Sequence, residues 1–105
     1  MPAPALHNAI SAILRVFPTA RQILLFGSHA RGTADEESDY DLLVVAETAL
    51  HPAERTAMAL RALWEEEAPF DVVVVTPTEL ERARKWKSTV IYRALEEGLV
   101  IHEAA

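Results

Sequence analysis

A chain of 105 residues, half of them apolar, can bury one modest core without disulfides and is too short for two domains. Its 16 acidic and 10 basic side chains leave a net charge of −6, which argues against a surface built to grip DNA or RNA stably. No cysteine is present, so disulfide frameworks and thiolate chemistry are excluded, and the redox compartment is left open. The apolar runs are too short for a membrane span, and MPAPALHNAI lacks the basic head and apolar core of a secretory signal. The expectation is a single domain over residues 1–105, cytoplasmic by default.

Leu6, Ile10, Ile13, Leu14 and Phe17 recur at three- and four-residue intervals, which predicts a helix over Ala5–Phe17 with one apolar face, stopped by Pro18. Ile23–Phe26 is a block of bulky residues ended by Gly27, as in a buried strand closing in a tight turn. Ser28–Arg31 reads as a helix start with Ser28 as its N-cap, followed by a polar loop over Thr33–Glu37. Asp39–Val45 begins polar and turns β-branched, the pattern of a strand whose first residues reach out of the core. After a turn at Glu47–Pro52, Ala53–Glu66 carries Ala57, Leu60, Leu63 and Trp64 on a helical period, which predicts a helix packed on the sheet and broken at Ala68-Pro69.

Phe70–Val75 reads as a central strand interrupted only by Asp71, a carboxylate costly to bury unless paired or metal-bound. Thr78 and Glu81 match a capping box, and helix continues to Gly98, either as one bent helix over residues 79–97 or as two with Ser88 as the restart. Leu99–His102 is a last short strand. The order α, β, short α, β, α, β, α, β is that of an α/β fold with helices against a small sheet.

The chemistry concentrates between Ile23 and Val45. On a strand Asp39 and Asp41 point to one face, about 7 Å apart along the backbone. Two like charges ~4 Å apart cost about 4 kcal/mol at an effective dielectric of 20, so carboxylates held together favour a divalent cation, with oxygen donors that suit Mg²⁺ or Mn²⁺. The Gly27-Ser28 turn offers backbone N–H groups and a hydroxyl to a phosphate, and the fork of Arg31 matches phosphate oxygens. Phosphate on one side and metal-binding carboxylates on the other are the minimal equipment for phosphoryl or nucleotidyl transfer.

GSHARG at residues 27–32, SDYDLLVV at 38–45 and Asp71 heading FDVVVV together resemble the signature of the DNA polymerase beta-type nucleotidyltransferase superfamily. They are most similar to its minimal nucleotidyltransferase (MNT) members. The resemblance implies a mixed sheet and a catalytic and metal-binding set of Asp39, Asp41 and Asp71, with two Mg²⁺ ions and ATP as donor. Gly27, Ser28, Arg31 and Ser38 are then the nucleotide-binding residues, although Ser38 on its own reads better as a cap of the strand start. It also implies an antitoxin that moves AMP onto a tyrosine hydroxyl of a partner HEPN-type RNase toxin, in a homo- or hetero-oligomer.

Two alternatives stay open: a non-catalytic module that neutralises a toxin by occlusion, and a small-molecule nucleotidyltransferase whose acceptor is held by a separate subunit. The four histidines show no ligand spacing, Trp64 reads as core, and Trp86 is open. Arg82, Arg84, Lys85, Lys87 and Arg93, interleaved with glutamates, read as either a solvated helix face or a docking surface for a partner or triphosphate.

Overall fold

A computed structural model describes residues 4–87 and 89–104. Nine elements follow in order: α1 (Pro4–Val16), β1 (Ala20–Phe26), α2 (Ser28–Arg31), β2 (Tyr40–Ala46), α3 (Pro52–Ala62), β3 (Phe70–Val75), α4 (Pro77–Ala83), α5 (Val90–Glu97) and β4 (Leu99–Glu103). The sheet runs β3-β2-β1-β4, with β1 antiparallel to both β2 and β4 and β2 parallel to β3. It is a small mixed sheet of an α/β fold, with helices on both faces.

Strand alternation sorts the side chains into two layers. Leu42 and Val44 of β2, with Ile23 and Leu25 of β1 and Val72 and Val74 of β3, meet Leu6, Ala9, Ile13 and Phe17 from the α1 side and Ala59 and Leu63 from the α3 side. Leu43, Val45 and Val75 face the other way and meet Leu80 of α4 and Ala94 of α5. Asp41 and Asp71 have the parity of Leu43 and Val73, so both carboxylates open on the α4–α5 side of the sheet.

Several local expectations need correction. Strand β2 begins at Tyr40, so Asp39 lies one residue before it. The region from 79 to 97 forms two helices, with α5 capped by the Thr89 side chain; the suggested restart at Ser88 lies outside the described residues. The box at the head of α4 is Thr76–Glu79, two residues upstream of Thr78–Glu81, because Pro77 takes the first helical turn and fixes its φ there. Helix α3 ends at Ala62, short of Glu66, where three successive glutamates would crowd the negative end of its dipole.

Its inner face also differs: Arg55, Ala59 and Leu63 turn inward at four-residue spacing, while Leu60 and Trp64 point to water, Trp64 being 84% exposed. Trp86 is exposed as well. The sequence reading missed that face because an arginine stands in it.

Arg55 is the one charged residue buried among the described residues. Its Nε donates to the Leu50 carbonyl at 2.8 Å, and its Nη1 donates to the Glu79 carboxylate at 2.6 Å and the Val74 carbonyl at 3.4 Å. Glu79 also accepts the Thr76 N–H at 2.9 Å, so one carboxylate joins α3, the end of β3 and the start of α4. Arg55 and the Thr76 N–H hold Glu79 below the ordinary glutamate value.

Glu79→Ala leaves a buried guanidinium without its anion, and we expect a loss of about 2–3 kcal/mol, or a Tm lower by about 10 °C. A depressed carboxylate adds stability that is complete above its unfolded pKa and is lost as pH falls through the folded one. Thermal melts should therefore fall away below pH 4.5, the ordinary value, and fall less steeply in Glu79→Gln. Parallel acid profiles of the two proteins would overturn this account of the pair.

Candidate active site

Strand β1 ends at Phe26, which pairs with Asp41, and the chain then turns at Gly27 with φ 75° and ψ −156°, a region open in practice only to glycine. The turn is also tight in space. A Cβ added at Gly27 would fall on Asp41 Oδ2, with Asp41 Cγ only 3.1 Å away. Gly27, rather than Ser28, occupies the N-cap of α2, and no side chain caps that single turn. Gly32 ends it in the left-handed conformation.

Asp41 and Asp71 are register partners on the parallel strands β2 and β3. Both line a cleft of about 340 Å³ together with Gly27, Ser28, Arg31, Arg93 and Glu97. Burial raises the Asp41 carboxyl above the ordinary aspartate value; the charges of Asp71 and then Asp39 raise it further, against a smaller pull from His29 and Arg31. Asp71 is exposed, so the burial cost expected for it does not arise.

The cleft thus gathers Gly27, Ser28, Arg31, Asp41 and Asp71 of the expected set. Asp39 lies outside the lining, near enough for its charge to act on Asp41. Ser38 does not join them. Its hydroxyl donates to the Asp35 carboxylate at 3.1 Å and accepts the Asp35 N–H at 3.0 Å, closing the acidic loop. His29 has a packing role: its ring stacks on Tyr40 at 3.7 Å between centroids, Tyr40 stacks on Phe70 at 5.4 Å, and Nε2 donates to the Ser38 carbonyl.

One residue escaped the sequence reading. Glu97, at the end of α5, accepts the Gly27 N–H at 3.2 Å and both of its oxygens accept Arg31 Nη1, at 3.0 and 3.2 Å. Arg93, of the basic cluster read as a solvated face or a docking surface for a partner or triphosphate, lines the cleft one helical turn earlier. Nothing local in the sequence marks Glu97, because its partners lie 66 and 70 residues away.

A sequence model of the nucleotidyltransferase domain matches residues 8–101. The chain belongs to the nucleotidyltransferase domain family. No curated protein matches it significantly. Among solved structures, a chain of the MntA–HpeT toxin–antitoxin complex is similar at a TM-score of 0.62 and 26% identity, over 93% of this chain and 72% of that one. A chain of a toxin–antitoxin complex crystallised with AMP-PNP is similar at a TM-score of 0.55 and 28% identity, over 92% and 73%. A third, from the complex of tri-AMPylated Shewanella oneidensis HEPN toxin with MNT antitoxin, has a TM-score of 0.50 and 20% identity over 95% and 73%, a likeness of fold.

Nucleotidyltransferase domains typically use a nucleoside triphosphate and a divalent metal. The donors present in this one fit a hard divalent cation. Carboxylate oxygens are the ligands Mg²⁺ prefers, and Asp41 is a half-buried acid whose like-charged neighbours a cation would offset. Among the described residues no group of three or more His, Asp or Glu side chains is placed to hold a metal ion. No helix among the described residues is long and apolar enough to cross a membrane.

Proposed function

We propose that this nucleotidyltransferase domain moves AMP from ATP to a tyrosine hydroxyl of a partner HEPN-type RNase toxin, and so acts as its antitoxin. The observation that carries the reading is one cleft that brings the Gly27-Ser28 turn and Arg31 together with the carboxylates of Asp41 and Asp71. Similarity to chains of toxin–antitoxin complexes, one crystallised with AMP-PNP, supports the partner class and the donor. The acidic net charge favours a protein acceptor over a long nucleic acid.

In the proposed reaction Gly27, Ser28 and Arg31 hold the triphosphate with its α-phosphorus toward Asp71. The acceptor oxygen bonds to that phosphorus, the bond to the bridging oxygen breaks, pyrophosphate departs, and the hydroxyl proton passes to Asp71. Asp39, Asp41 and Asp71 would hold Mg²⁺, two ions or one, with Mn²⁺ as a substitute; the metal supplies Lewis-acid stabilisation of the developing charge. Arg31 neutralises charge on the departing phosphates.

The test is a tagged pull-down from the native host with Mg²⁺ and ATP, followed by intact mass of what co-elutes. We expect a small partner heavier by one or more AMP units, with the gain absent for Asp39→Asn. A bound partner of unchanged mass would replace this reading with occlusion. Turnover of a small molecule with no partner bound would replace it with small-molecule nucleotidylation.

A further inference from the structure

The donors of the Gly27 turn have a partner within the chain. Both oxygens of Glu97 accept from Arg31 Nη1, and one also accepts the Gly27 N–H. These contacts use a guanidinium and a peptide N–H, the donors that a phosphoryl oxygen would use. The Glu97 side chain is 23% exposed and that of Arg31 49%, so the carboxylate sits deeper in the cleft than the cation that holds it.

It also adds a negative charge to a cleft already lined by Asp41 and Asp71, where its salt-bridge partner is Arg31. A phosphate and this carboxylate cannot share the same donors, and side by side they would repel.

We propose that Glu97 is a built-in competitor for the triphosphate, occupying the anion position until the nucleotide displaces it. This rests on the reading of the cleft as a nucleoside triphosphate site. The displaced carboxylate has somewhere to go, since Arg93 lies four residues earlier on the same helix and lines the same cleft. Exchange from Arg31 to Arg93 frees Arg31 for phosphate and keeps the glutamate charge paired. Because Glu97 closes α5, nucleotide binding is thereby linked to the last turn of that helix.

The experiment is calorimetric titration of wild type, Glu97→Gln and Glu97→Asp with sodium tripolyphosphate in EDTA, and separately with Mg²⁺–ATP, each protein first shown to melt cooperatively. Removing the competing charge should tighten tripolyphosphate binding by about tenfold in Glu97→Gln, with Glu97→Asp, which keeps the charge on a shorter arm, in between. Equal affinities for all three proteins would overturn the proposal and leave an ordinary surface ion pair. Weaker binding by Glu97→Gln would also overturn it, and make Glu97 a positioning residue that aims Arg31. If wild type binds Mg²⁺–ATP and only the tenfold gain is missing, the nucleotide reading stands without the competitor. If Glu97→Gln gains affinity for tripolyphosphate while no protein binds Mg²⁺–ATP, the competitor stands and the nucleotide reading falls.

Discussion

Gly27→Ala is expected to lower Tm by about 10–15 °C and to abolish the response of the protein to Mg²⁺ and ATP. The stability loss comes mainly from the backbone: at φ 75° and ψ −156° any side chain is strained, at about 1–3 kcal/mol. The functional loss comes from the new methyl group, which falls on Asp41 Oδ2 and must drive that carboxylate out of the cleft. The two parts separate in a double-mutant cycle. In an Asp41→Ala background the carboxyl group is gone, so the alanine at 27 should cost only the backbone share. Additive losses would mean that Gly27 and Asp41 are not in the contact described.

Asp41→Asn is expected to leave Tm unchanged or higher in metal-free buffer at neutral pH while reducing nucleotidyl transfer at least about a thousandfold. Burial and the neighbouring Asp71 and Asp39 charges raise the pKa of this group, which means that the fold disfavours its ionised form. A neutral amide of the same shape removes that penalty, and with it a ligand for the cation. Stability given up for function has this signature. Mn²⁺ should raise the Tm of wild type and not of Asp41→Asn, because a ligand that binds only the folded state stabilises it. Unfolding of Asp41→Asn would make the residue structural and remove it from the site.

Much of this could be read from the sequence because it is written locally. Alternation placed Asp41 on the outer end of a strand, the apolar run around Asp71 marked a strand, at the sheet edge where a central one was expected, and Gly27 stood where a strand had to turn sharply. The resemblance joined them into one site. What escaped depends on contacts distant in sequence. Arg55 breaks the apolar face of α3 because Glu79 and two carbonyls receive it, so a period counted from hydrophobic residues picked Leu60 and Trp64 instead. Glu97 looked like one more surface acid until the fold set it against Gly27 and Arg31. Helix boundaries failed where proline and repeated glutamates decide them, at Pro77 and after Ala62.

The strand order β3-β2-β1-β4 has a mechanical consequence. The strand that carries Asp41 and the strand that leads into Gly27 are the two inner ones, each hydrogen-bonded on both sides. Opening them requires the whole sheet to come apart. Asp71 stands on the edge strand β3, which is paired on one side only, through β2. The two carboxylates of the cleft therefore differ in footing, Asp41 on a strand held from both sides and Asp71 on one held from a single side. Fraying at that edge reaches Asp71 before Asp41.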